Sequence, residues 1–290
     1  MAWVEDESLL YATSSDQGGT WTHPEMLVAW VDTGDAGQIR PELVQLEEGM
    51  GIAYGSKKRP WLGVRYGTGW DHQLLATAEH GFANLVDIDS IEGQPLVTWL
   101  DTRRAPTSAT TDVYAWWSGQ EELVYQDDGD GVCMCCRPAA GTVEGKPAVA
   151  FRDADGALRE IRLFVREVEG WQDRGLVTTG GWSPGGCPTD GPVFDGDELL
   201  SSDARDGTRR VYQGDTLLSG TGDSQVSQPR VVDDVRTWVE AEGDEVRLVS
   251  GRRVLVQSYG RMEPGDPVRV GDEIWQPWQG MRGQVIAFSP

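Results

Sequence analysis

The sequence predicts an all-β fold built from repeated four-stranded sheets, and three observations lead to this prediction. Helical periodicity is nearly absent along the 290 residues. Short runs rich in β-branched and aromatic residues, such as 95–100, 148–151 and 236–239, alternate with Gly/Asp turns, which is typical of β-sandwiches, barrels and propellers. The third observation is a repeated residue–proline pair, which favours the propeller over a β-sandwich, the alternative fold.

The residue–proline pair recurs at the predicted starts of strands, where proline removes no ladder hydrogen bond. After a first interval that is about twice as long, the pairs begin 38 to 50 residues apart, which is the length of a four-stranded blade. Including an unmarked member near residue 84, the repeat predicts a six-bladed β-propeller in a single domain over residues 1–290. The pairs are Arg40-Pro41, Arg137-Pro138, Cys187-Pro188, Gln228-Pro229 and Asp266-Pro267.

The two ends of the chain predict how the propeller closes. The sequence has strand character from Met1 onward, and no outer strands of a last blade follow Phe288. We therefore expect the strands of residues 1–28 to pair with the C-terminal strands and complete the sixth blade. Closure of this kind removes the exposed sheet edges that an open array would leave.

The charge and hydropathy of the chain exclude two classes of partner. There are 47 acidic against 25 basic residues, a net charge of −22, and such a surface repels nucleic acid and anionic membranes. No run of 18 apolar residues is present, so we expect no membrane insertion. The N-terminal residues do not resemble a signal peptide, which fits either a cytoplasmic protein or an exported one whose signal has been removed. Composition leaves the oligomeric state open.

The four cysteines of the chain fall in two short segments, Cys133-Met134-Cys135-Cys136 and Gly186-Cys187-Pro188. Both segments precede predicted first strands of neighbouring blades. Equivalent loops of adjacent blades would therefore bring four sulfurs together near the propeller axis, where propeller sites usually lie. Thiols gathered in this way bind a soft metal, form a redox pair or cross-link the fold as structural disulfides.

Three interpretations of the predicted metal ligands Cys133, Cys135, Cys136 and Cys187 stay open. Copper is the first, because Cu(I) favours soft thiolates and accepts two or three ligands. Zinc is less favoured, because adjacent cysteines rarely span two tetrahedral vertices. Structural disulfides that involve Cys187 are the third interpretation and fit an exported protein. His80 lies in an equivalent loop and is a further candidate ligand, with a solvent-facing loop histidine as the alternative.

Two motifs carry a resemblance to a known family. Residues 14–21, Ser-Ser-Asp-Gln-Gly-Gly-Thr-Trp, match the Asp-box Ser-x-Asp-x-Gly-x-Thr-Trp at every fixed position. The second match contains Cys-x-Cys-Cys at 133–136, Phe-Arg-Asp at 151–153, Arg-Glu-Ile at 159–161 and Gly-Cys-Pro-x-x-Gly-Pro at 186–192. Together they resemble bacterial sialidase-like propellers with BNR repeats. The resemblance implies a sialidase-type six-bladed propeller that acts on a small molecule or a glycan.

Two functions follow from these patterns. The first is a copper-binding, sialidase-like propeller, in which the metal serves a redox or oxidative step or is simply held on the axis. The second is a glycoside hydrolase or glycan-binding protein of the exo-α-sialidase superfamily, with the cysteines in structural disulfides. Sialidase chemistry uses three arginines that hold a carboxylate, a tyrosine nucleophile paired with a glutamate, and an acid/base aspartate. Candidates for these roles are Arg40, Arg152, Asp153, Arg159, Arg210, Arg230, Glu240 and Tyr259. For Arg152 and Asp153 an ion pair between blades is the alternative.

Overall fold

The computed structural model describes residues 1–16, 18–33, 39–77, 81–104, 110–129, 131–184, 189–219, 222, 224–260, 263–270, 272–279 and 283–289. These residues form 27 β-strands arranged in seven antiparallel sheets. No helix occurs in these ranges, and hence none that could cross a membrane. The all-β propeller predicted from the sequence is confirmed.

The first three sheets follow one another along the chain, and in each of them consecutive strands pair. The N-terminal sheet contains β1 (Ala2–Glu5), β2 (Ser8–Tyr11) and β3 (Glu25–Ala29). The second contains β4 (Glu42–Leu46), β5 (Gly49–Ser56), β6 (Arg59–Tyr66) and β7 (Gly69–Leu74). The third contains β8 (Ala83–Ile91), β9 (Gln94–Asp101), β10 (Asp112–Trp117) and β11 (Gln120–Tyr125).

The next three sheets repeat the same four-stranded meander. They contain β12 (Ala139–Val143), β13 (Lys146–Arg152), β14 (Ile161–Glu167) and β15 (Gly170–Leu176); β16 (Val193–Asp195), β17 (Glu198–Asp203), β18 (Arg210–Gln213) and β19 (Thr216–Leu217); and β20 (Gln225–Val232), β21 (Val235–Glu242), β22 (Glu245–Ser250) and β23 (Arg253–Tyr259).

The C-terminal sheet departs from this pattern. The short strands β24 (Glu263–Pro264) and β25 (Val268–Val270) both pair with the same side of β26 (Glu273–Gln279), and β27 (Gly283–Phe288) pairs with the other side. The sheet thus has three strand positions, and its first strand is interrupted between residues 264 and 268. This interruption places Asp266 in a loop at the inner edge of the sheet.

The number of sheets and the mode of closure differ from the six-bladed prediction. Residues 2–29 form a sheet of their own, and in the described ranges none of β1–β3 pairs with a C-terminal strand. Leu9 of this sheet is fully buried and packs with Ile52 and Tyr54 of β5. The N-terminal strands pair with one another and bury an apolar face against the second sheet. Their hydrogen bonds and apolar contacts are therefore made without pairing to the last sheet.

The two ends of the chain nevertheless meet. The ring centroids of Trp21 and Trp275 are 6.0 Å apart, so the N-terminal sheet contacts the C-terminal sheet through side chains. Apolar clusters also join the second sheet to the third, the third to the fourth, the fifth to the sixth and the sixth to the seventh. The first strands of several neighbouring sheets contact each other at the centre.

The segment between β2 and β3 forms a tight polar turn. The Asp16 carboxylate accepts hydrogen bonds from the Thr20 backbone N–H at 2.8 Å and the Thr20 hydroxyl at 2.7 Å. The Ser14 hydroxyl donates to Asp16 at 2.8 Å and accepts from the Gly18 N–H at the same distance. These hydrogen bonds, those from Thr20 foremost, lower the pKa of Asp16 to about 2. The turn is a local structural feature and coincides with the Asp-box motif.

Candidate functional site

The loop before β12 gathers three sulfur atoms, here called the sulfur cluster: Cys133, Cys135 and Cys136. The Cys133 N–H donates to the Arg152 carbonyl at 2.9 Å, and the Cys136 N–H donates back to the Cys133 carbonyl at 3.1 Å. This turn brings Cys133 Sγ within 3.6 Å of Cys135 Sγ and 3.3 Å of Cys136 Sγ. All three sulfurs lie within 4.8 Å of one another and could hold a metal ion.

The three sulfurs differ in redox state. Cys133 and Cys136 carry free thiols and are buried, whereas Cys135 is half-buried and disulfide-bonded. A disulfide sulfur is not a thiolate ligand, so this form of the protein offers a metal two thiols, and a third only after reduction. The two other predicted ligands, Cys187 and His80, lie outside the described residues.

The environment distinguishes the two free thiols. A hydrogen bond from Cys136 lowers the pKa of the Cys133 thiol to about 6, with further help from Arg152, the Cys135 N–H and Arg159. Burial raises the pKa of Cys136 well above its ordinary value, and its pairing with Cys133 adds to this effect. One buried thiolate hydrogen-bonded by a neighbouring thiol is therefore the favoured charge state near neutral pH.

A second set of side chains, the arginine cluster, lies directly beside the sulfur cluster at the inner edges of the sheets. It contains Arg40, Arg137 and Arg230 with the carboxylates Glu42, Asp87 and Asp266. Arg40 forms a bidentate pair with Asp266, both distances being 3.1 Å. Arg230 Nε lies 3.3 Å from the same carboxylate.

Arg137 forms the other half of the arginine cluster. Its guanidinium donates to Glu42 and, at 2.8 Å, to Asp87. Its side chain is only 9% exposed, as is that of Glu42, so these charges are almost completely removed from water. Arg137 directly follows Cys136, and the clusters are therefore joined by the backbone itself.

Two irregular strands and one glycine shape the arginine cluster. The ladders of β8 and β20 are interrupted just before Asp87 and Arg230, with left-handed backbone at Leu85 and Gln228. Such bulges turn the following side chain away from the regular alternation of the strand. At Gly191 a Cβ atom would lie 1.9 Å from the Arg137 carbonyl oxygen, so only glycine permits this close approach.

The electrostatics of the arginine cluster centre on Asp266. Burial alone would raise its pKa, but Arg40, Glu42, Arg137 and Arg230 together hold the pKa well below its ordinary value. Burial lowers the pKa of the Arg230 guanidinium to about 10. The Glu42 carboxyl has a pKa raised well above its ordinary value, chiefly by burial. The arrangement is a carboxylate-binding site that the side chain of Asp266, itself 40% exposed, occupies.

The remaining predicted site residues do not belong to either cluster. Arg152 is buried and ties two sheets together through the carbonyl oxygens of Asp190 at 2.9 Å and Ser202 at 3.0 Å. Asp153 pairs with Arg162 at 3.1 Å. Arg159 and Arg210 donate to backbone carbonyls of nearby loops, and Glu240 accepts from Trp238. Tyr259 is 68% exposed on the last strand of its sheet. Their catalytic roles stay predictions.

Sequence reasoning did not select Asp266 or Asp87 as site residues, and it placed Arg137 in a loop at the mouth of the central channel without giving it a role. A signal was present for Asp266, because it precedes the proline of a repeated pair, as do Arg137 and Arg40. Arg40 and Arg137 lie where the chain enters the first strand of a sheet, and Asp266 lies in the interruption of the first strand of the last sheet. Equivalent positions in a ring of blades converge at the centre, so the three belong together.

Comparisons with known proteins support the fold and go no further. No protein-family profile and no curated protein matches the chain. Among solved structures, one from a study of two prolyl endopeptidases is similar to this chain, with 10% identity and a TM-score of 0.56. The similarity covers all of this chain and 50% of that one. Trypanosoma rangeli sialidase matches with 11% identity and a TM-score of 0.49, over 98% of this chain and 58% of that one. The fucose-binding Aleuria aurantia lectin matches with 10% identity and a TM-score of 0.44, over 84% and 93%. The chain thus spans only about half the length of the first two, and at these identities the likeness concerns the fold alone.

Proposed function

We propose that the protein binds copper as Cu(I) through the thiolates of Cys133 and Cys136, and that Cys135 joins them when it is reduced. The observation that carries this proposal is the pair of buried free thiols whose sulfurs are 3.3 Å apart. Both cysteines lie in one turn, so their thiolates would hold one soft ion between them.

The chemistry of the donor set favours copper over zinc. Cu(I) is soft and suits thiolates, and it is satisfied by two or three of them. Structural zinc requires four ligands, whereas the described sulfur cluster offers two free thiols and one disulfide sulfur. The lowered pKa of Cys133 supplies one thiolate near neutral pH. A redox or oxidative step at the bound metal is the activity that such a site would serve.

Metal analysis tests the copper proposal directly. Protein purified without a metal-affinity tag and supplied anaerobically with Cu(I) is expected to retain about one equivalent of copper per chain after desalting. Binding to the folded state alone should raise the melting temperature, and a Cu(I) chelator should reverse the increase. Less than a tenth of an equivalent of copper, on a sample in which thiol titration finds both free thiols, would defeat the proposal.

The arginine cluster supports a second candidate function, the binding of a carboxylate-bearing glycan such as a sialoside. Arg40 and Arg230 already converge on one carboxylate, that of Asp266, whose side chain is 40% exposed and so within reach of a ligand. Three arginines around a carboxylate are the arrangement that sialic-acid recognition uses. Tyr259, the predicted nucleophile, lies at the end of the last strand of its sheet and is not part of the arginine cluster, which favours binding over hydrolysis.

Calorimetry with a sialyl-oligosaccharide tests the second function. Asp266→Ala is expected to bind the ligand at least about tenfold more tightly than the unaltered protein, because it removes the competing internal carboxylate. The double variant with Arg230→Met added should lose this binding, since it removes one of the guanidinium groups. Absence of binding by the folded Asp266→Ala protein would exclude the carboxylate site. A fluorogenic sialoside, tested with Tyr259→Phe as the control, reports any turnover.

A further inference from the structure

We propose that the sulfur cluster is an intramolecular thiol–disulfide relay, in which the disulfide at Cys135 moves onto the pair Cys133 and Cys136. The observation is the juxtaposition of one disulfide sulfur with two free thiols in a single turn. Cys133 Sγ is close to both other sulfurs, 3.6 Å from Cys135 Sγ and 3.3 Å from Cys136 Sγ. A structural disulfide has no need of two neighbouring buried thiols.

The relay consists of two exchange steps. In the first, the Cys133 thiolate attacks Cys135 Sγ, a Cys133–Cys135 disulfide forms, and the former partner of Cys135 leaves with the bonding electron pair and takes up a proton. In the second, the Cys136 thiolate attacks Cys133 Sγ, and Cys135 leaves as a thiol. One disulfide is broken and one is formed in each step. The relay therefore needs no external oxidant or reductant.

The local structure keeps the reacting atoms together. The hydrogen bond between the Cys136 N–H and the Cys133 carbonyl, 3.1 Å long, closes the turn that brings the two thiols face to face. Both thiols are buried and pack against Ala154, while Cys135 is the more accessible of the three. An external thiol would therefore reach the Cys135 sulfur first. The Cys133 and Cys136 sulfurs lie on its buried side.

The relay also regulates the metal site, and this consequence rests on the proposed copper function. When the disulfide joins Cys133 to Cys136, the two thiols that would hold copper are consumed. When the disulfide lies at Cys135, both thiols are available. Movement of one bond thus switches the site between a metal-binding and a metal-free form without net oxidation.

Trapping the first step tests the relay. Trypsin does not cleave before proline, so Cys133, Cys135 and Cys136 share the peptide 105–152, whereas Cys187, the one other cysteine in the sequence, lies in the peptide 175–205. Cys136→Ser and the double variant Cys133→Ser/Cys136→Ser are kept with a copper chelator and without reductant. They are then denatured in acid, labelled with N-ethylmaleimide at that pH, digested and analysed by mass spectrometry.

In Cys136→Ser the first step is expected to occur and stop there, which frees the sulfur on peptide 175–205 for labelling. The double variant lacks the attacking thiol, so its two peptides should stay linked and the labelled fraction should be at least about tenfold lower. Equal linkage in the two variants, or no linked peptide in the folded double variant, would overturn the relay. Because the samples contain no copper, a failure of copper binding would leave this result standing, and the two proposals are tested separately.

Discussion

Replacing Arg137 by methionine is expected to destabilise the fold by about 3–5 kcal/mol, the usual cost of removing one partner from a buried ion pair. The guanidinium holds two carboxyl groups, those of Glu42 and Asp87, which come from two other sheets. Without it, both acids would face each other away from water with no compensating charge at that position. Urea denaturation followed by tryptophan fluorescence measures the change in the free energy of unfolding.

The matched control for Arg137→Met is Arg174→Met. Arg174 also pairs with a carboxylate, that of Glu167 at 2.5 Å, but its side chain is 48% exposed. Exposed pairs gain little because water competes for both charges. We expect no measurable change in the denaturation midpoint of Arg174→Met. Equal midpoints for the two variants would show that the arginine cluster does not stabilise the centre of the propeller.

The second large effect concerns copper affinity. Cys133→Ser and Cys136→Ser should each weaken Cu(I) binding by at least about 100-fold, since even residues that merely orient a ligand cost 10–100-fold when removed. Competition with a Cu(I) chelator of known affinity, monitored by absorbance, measures this loss. Serine preserves the size of each side chain, and its hydroxyl can hydrogen-bond to the remaining thiol, so the metal-free protein should stay folded.

Cys135→Ser is the control for these two variants. Cys135 is disulfide-bonded in the same cluster and contributes no thiol to the pair proposed to bind copper. We expect its replacement to lower the Cu(I) affinity by less than about tenfold. An affinity loss in Cys135→Ser as large as that in Cys133→Ser would show that the three-thiol form is the binding form. Unchanged affinity in all three variants would contradict the assignment of copper to this cluster.

The sequence by itself determined the local features of this protein, namely its strands, its turns and the sulfur cluster. Alternating apolar residues and Gly/Asp turns predict the antiparallel meanders because strand formation and tight turns depend on residues close together in the chain. The sulfur cluster follows for the same reason, since Cys133 to Cys136 span one turn closed by a single hydrogen bond. The residue–proline pairs correctly marked the entry to several inner strands, and the Ser14–Trp21 turn is likewise a local feature.

Only the tertiary structure decided how these parts meet. The pair between Arg40 and Asp266 joins residues 226 positions apart, and that between Arg137 and Glu42 joins residues 95 apart. The sequence does not encode which distant charges will face each other, because that depends on how every intervening sheet packs around the ring. The same applies to the N-terminal strands, which were predicted to complete a sixth blade and instead form a sheet of their own. Local hydrogen bonding defines a strand, whereas the burial of Leu9 against Ile52 and Tyr54 determines its neighbour. Burial is a property of the assembled fold, and it also decided that Cys133 and Cys136 are enclosed while Tyr259 faces water.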